Sequence, residues 1–150
     1  MKSMIVAMML TTSLSGCAAA SSGEATVVQN SIGKLLLSHD EKYSYQNDLN
    51  PFGSAVIFDE FIEVYNKNIK GLKKEERLKF FWSAMWHLDF DGHYMFQFQK
   101  LILDDCGEEF IKKLEDYIKK ETELQRNKTR LYLSEKVLAG LNSIKARRAQ

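Results

Sequence analysis

Apolar residues recur along this chain at intervals of three and four, and no stretch alternates strictly, so the pattern predicts helices and no strand. Val28, Ile32, Leu35 and Leu36 mark a first helix near residues 27–37, with Gly33 as its weak point. Residues 38–53 are polar and broken by Asn50-Pro51 and Gly53. They predict a loop held down by Tyr43 and Tyr45. The stripe Ile57, Phe58, Phe61, Ile62, Tyr65, Ile69 then starts among acids and ends among lysines, the order a helix dipole favours. Ser54 is placed to cap its start, and Gly71 with Leu72 its end.

A further helix is predicted from Lys74 to Leu88, with Leu78, Phe81, Trp82, Met85 and Leu88 on one face. Phe80 and Trp86 widen that face, so this helix should be packed on more than one side and form the middle of the core. After a break at Asp89–Gly92, Tyr94, Met95, Phe98, Leu101 and Ile102 mark another helix. Asp105 and Glu108 then read as a capping box for a separate helix carrying Phe110, Ile111, Leu114, Tyr117 and Ile118. Leu124, Leu131, Leu138 and Leu141 continue the pattern from Glu121 to about Arg147, weakened at Asn127 and Gly140. The expectation is an all-α domain over residues 27–150, an irregular bundle or helical-hairpin stack of five or six helices. No fixed repeat period runs through it.

The first sixteen residues differ in kind. They hold one cation, Lys2, and no acid, followed by the run Met4-Ile5-Val6-Ala7-Met8-Met9-Leu10, the layout of a secretion signal. That run falls short of the roughly 20 apolar residues that span a bilayer core. With Leu14-Ser15-Gly16-Cys17 behind it, the segment resembles the signal peptide and lipobox of bacterial lipoproteins. The resemblance implies cleavage before Cys17, a diacylglyceryl group on its thiol, and a fatty acyl chain such as palmitate on the new amino group. Ala18 rather than Asp at the next position implies sorting to an outer membrane, with the body facing the periplasm. Each buried methylene is worth about 0.8 kcal/mol, and two or more chains anchor stably. Residues 17–26, small and polar after Cys17, then read as a flexible tether.

Composition describes an ordinary folded body, 45% hydrophobic and 27% charged. Of 21 cations and 20 acids only Lys2 lies in the signal, so the remainder balances to zero and no overall field directs it to nucleic acid. With Cys17 lipidated, Cys106 has no intrachain partner and reads as a small packing residue, the reactive thiol being the alternative.

Four candidate chemistries remain. His87, Asp89, Asp91 and His93 alternate along the chain and would share one side of an extended segment, as a site for zinc or another divalent transition metal requires. A calcium loop fails on register, since its twelfth position would be Phe98. The competing structural reading makes Asp91 an N-cap and His87 a favourable ring at a helix C-terminus. Eight large rings lie between Phe80 and Phe98. Either they fill the core by volume, or some stay at the surface as a partner site, chiefly Trp82, Trp86, Phe90 and Tyr94. Residues 128–150 carry six cations against Glu135, enough to meet an acidic partner or an anionic headgroup, and equally compatible with a solvated face. Finally, Ser38-His39-Asp40 is contiguous and cannot form a triad by itself. With no nucleophile motif, phosphate loop or redox pair, the expectation is a non-catalytic, lipid-anchored module that binds a protein. A metal-binding protein or metal-dependent hydrolase using His87, Asp89, Asp91 and His93, and a passive envelope component, are the alternatives, and no cofactor is expected outside the metal reading.

Overall fold

A computed structural model describes residues 23–39, 53–88, 90 and 92–150. These form five helices and no strand: α1 (23–39), α2 (Gly53–Val64), α3 (Lys74–His87), α4 (Gly92–Leu124) and α5 (Lys128–Arg148). The all-α expectation holds, and the elements make an irregular bundle around one core. The predicted loop with Tyr43 and Tyr45 lies outside the described residues.

The stripe from Ile57 to Ile69 shows why the bundle is irregular. α2 already includes Gly53 and Ser54, so Ser54 lies within the helix rather than capping it, and the helix passes into a π-helical turn, Tyr65–Ile69. Phe61, Tyr65 and Ile69 sit four residues apart, and an α-helix at 3.6 residues per turn would rotate them progressively off the core face. The wider turn keeps all three buried. Lys70 N–H closes it on the Tyr65 carbonyl at 2.9 Å, and Leu72 N–H on Ile69 at 2.9 Å. The predicted glycine cap is therefore absent: Gly71 does not take a positive φ, because the π turn already satisfies the carbonyls it would have served.

α1 includes residues 23–26, so these belong to the helix rather than to the predicted tether. It buries Val28, Ile32 and Leu35 and runs antiparallel to α2. Ser38 donates to Glu60 near one end, and Lys73 N–H donates to Glu24 Oε2 at 3.3 Å near the other. α3 matches its predicted span within a residue and buries Phe80, Phe81, Ala84 and Met85. Phe61 is the hub between these layers. Its ring stacks on Phe80 at 5.1 Å and meets Phe90 and Phe98 edge-on at 5.4 and 5.5 Å.

The two helices expected on either side of Asp105 are one element, broken at Cys106, where φ is −143° and ψ 39°. The capping box is corrected for a physical reason. Asp105 has stronger acceptor work than a local N–H: Arg77 Nε donates to both of its oxygens, at 2.8 and 3.1 Å, and Tyr65 OH donates at 2.5 Å. Glu108 instead meets Lys145 Nζ at 2.6 Å. Arg77 also donates from Nη1 to the Leu72 carbonyl at 2.5 Å, so one buried network ties the π turn, the loop after it, α3 and the α4 break together. Burial, followed by Asp105, pushes the Tyr65 hydroxyl far above its usual range, while the bond to Asp105 raises the Arg77 guanidinium.

α4 and α5 form an antiparallel hairpin. Its turn contains Gln125 at φ +50°, and Asn127 caps α5 by accepting from Arg130 N–H at 3.0 Å. The chain break thus falls at 125–127, and Glu121–Leu124 complete α4 instead of opening the last helix. Gly140 allows close approach between α5 and the part of α4 that precedes the Cys106 break: a Cβ there would lie 2.7 Å from Cδ of the buried Gln99.

Candidate partner surface

Trp82 and Trp86 stand one turn apart on α3, beside the face that fills the core. Both are half-buried, and they meet edge-on at 5.5 Å. Tyr117 of α4 completes the cluster, 5.6 Å from Trp82 and 5.2 Å from Trp86. Trp82 also rests on Phe110 at 5.7 Å, which fixes the cluster to the core.

Two cations cover these rings from neighbouring helices. Lys113 Nζ of α4 lies 4.8 Å from the Trp82 ring centre, and the Arg130 guanidinium of α5 lies 5.3 Å from that of Trp86. Burial, and then the nearby Lys79 charge, lower the Lys113 pKa. Beside Trp86 a cleft of about 200 Å³ is lined by His87, Phe90, Met95, Leu133 and Lys136. The arrangement joins flat apolar area to a positive rim.

The four residues predicted for this surface divide. Trp82 and Trp86 are brought together. Phe90 is only 4% exposed and packs on Phe58, Phe61 and Phe98, so its expected place at the surface is corrected. Large rings next to a helix end bury when a neighbouring helix offers an apolar face, and α2 does so here. Tyr94 is half-buried, its ring against Phe58 and His93 at 5.5 and 5.4 Å rather than against the tryptophans. Tyr117 and Lys113 were not foreseen here, and Arg130 was expected only as one of the six cations of residues 128–150, not beside Trp86. The four-residue step from Lys113 to Tyr117 places them on one face, but nothing in the sequence ties that face to Trp82 and Trp86.

Of the metal candidates, His87 is exposed at the end of α3, and His93 is exposed near the start of α4 with its ring edge-on to Tyr94 at 5.4 Å. Asp89 and Asp91 lie outside the described residues, and among the described residues no three His, Cys, Asp or Glu side chains form a metal-holding group. Cys106 is buried. Burial first, then the Asp105 and Glu109 charges, push its thiol up to about 12. The lipobox with Cys17 lies outside the described residues, and no described helix is long and apolar enough to cross a membrane.

Neither a protein-family model, nor a characterised protein, nor a solved structure gives a significant match to this chain.

Proposed function

We propose that the protein is a lipid-anchored binding module of a bacterial envelope. Cys17 holds it in the outer membrane facing the periplasm, and it acts by engaging a protein partner without catalysis. The Leu14-Ser15-Gly16-Cys17 motif supports the address. The observation that carries the binding role is the Trp82–Trp86–Tyr117 cluster, left partly in water and rimmed by Lys113 and Arg130. Large rings with little rotamer entropy to lose, next to cations, form the kind of anchor that dominates protein interfaces. The matching partner face sets an apolar side chain beside acids.

The test uses the lipidated protein as bait in a detergent extract of its own membranes, comparing the parent with Arg130→Glu and Trp86→Glu. Arg130 is exposed, so its reversal leaves the core intact. A partner retained by the parent and lost by both variants supports the reading. Equal retention by all three contradicts it.

A further inference from the structure

One end of the bundle gathers the start of α1, the loop between the π turn and α3, the α4 break and the end of α5. Lys73 N–H meets Glu24 Oε2 at 3.3 Å, Lys74 meets Glu109 at 2.8 Å, and Arg148 meets Asp104 at 2.7 Å. The Lys74 and Arg148 charges are matched, whereas Glu24 accepts only a backbone amide and the exposed Glu75 makes no ion pair with a described residue, so two acids stand against the cations that follow. Lys70, Lys73 and Arg147 are exposed at the same end, and none of their side chains makes an ion pair with a described residue.

Covalent geometry determines where a lipid on Cys17 would hold this end. Residues 18–22 separate Cys17 from the first residue of α1, and at about 3.6 Å per residue the connection reaches about 22 Å at most. α5 alone is about 32 Å long at 1.5 Å per residue. The connection is shorter than the body, so it keeps the α1 end near the bilayer and lets the far end, at Gln125, stand away.

We propose that this end is a membrane-facing surface, on which Lys70, Lys73 and Arg147 meet the anionic phosphates of the headgroups around the anchor. The inference rests on the lipid-anchor reading of Cys17. Exposed cations within a Debye length of an anionic leaflet are attracted to it, and three at one end give the body a preferred orientation. α3 then runs away from the bilayer from Lys74, which carries Trp86 roughly 18 Å outward along its axis and leaves the ring cluster open to a partner.

The experiment reads that orientation directly. Lipidated protein carrying Lys70→Cys or Tyr132→Cys is labelled with a fluorophore and placed in vesicles of phosphatidylethanolamine and phosphatidylglycerol that bear a headgroup-linked energy acceptor. Cys106 is 1% exposed and does not compete for label. Tyr132 is 68% exposed and lies about 24 Å from Arg148 along α5. Quenching several-fold stronger at position 70 than at 132, with the difference collapsing in Lys73→Glu/Arg147→Glu or in phosphatidylcholine vesicles, is the expected result. Equal quenching, or stronger quenching at 132, overturns the proposal. So does an orientation indifferent to both the charge reversal and the lipid, which the tether alone would set. Protein that fails to float with the vesicles contradicts the anchor itself, a different failure read in the same preparation.

Discussion

Replacing Asp105 by Ala should damage this fold more than a single surface-pair deletion can. The Asp105 side chain is 5% exposed and Arg77 19% exposed, so little water is available to replace the lost carboxylate. Two groups are stranded: the Arg77 guanidinium, which keeps only its bond to the Leu72 carbonyl, and the Tyr65 hydroxyl. Breaking a buried pair from one side costs about 3–5 kcal/mol. The retained Leu72 bond and the partial exposure of Arg77 place this case near the lower limit, about 3 kcal/mol. At this chain length that corresponds to a drop in Tm of roughly 6–12 °C. Arg77→Met on its own also strands Asp105, whereas Asp105→Ala/Arg77→Met removes both charges, so the double variant should be less destabilised than the sum of the singles by about 1–2 kcal/mol. Urea denaturation followed by far-UV circular dichroism measures all three. A loss below about 0.5 kcal/mol for Asp105→Ala, the range of ordinary surface changes, would refute the network as a tie across the bundle. Tyr65 adds a pH signature. Its folded pKa is raised, so its contribution is complete below the unfolded value of 10.0 and is lost as pH rises through the folded one. Tyr65→Phe should lose that part of the alkaline fall in stability.

Two other outcomes follow from local geometry. Gln125 adopts φ +50° at the α4–α5 turn, and Gln125→Gly should raise the unfolding free energy by about 0.5–1 kcal/mol by relieving left-handed strain; a decrease would contradict that origin. The Cys106 thiol, raised from 9.0 to about 12, should react with iodoacetamide at pH 8.5 on the order of a thousandfold more slowly in the folded protein than in urea. Its sign matches that of Tyr65: the stabilisation is present below pH 9.0 and disappears as pH rises toward about 12. Comparable rates in the two states would show that the thiol is accessible.

Local pattern fixed the elements whose partners lie nearby. The stripe of α3 and the breakers around it placed Lys74–His87 almost to the residue, and Asn127, weak as a helix interior, proved to be a helix start. Where a residue's best partner lies far along the chain, local chemistry misled. Asp105 has the spacing of a capping box, yet Tyr65 and Arg77, 40 and 28 residues away, claim its oxygens. The π turn is invisible to a 3.6-residue template, because its widening is enforced by the burial of Tyr65 and Ile69 together. Half of the candidate surface was legible for the same reason. Trp82 and Trp86 are one turn apart, while Tyr117, Lys113 and Arg130 join them only when α4 and α5 fold back.

The proposed lipid anchor would set which partners can reach the ring cluster, and the mass of the mature N-terminus tests it most directly. Protein extracted from membranes of its native host, digested and analysed by mass spectrometry, should yield an N-terminal peptide that begins at Cys17 and carries a diacylglyceryl group. A peptide beginning at an unmodified Met1, recovered from the soluble fraction, would contradict the account.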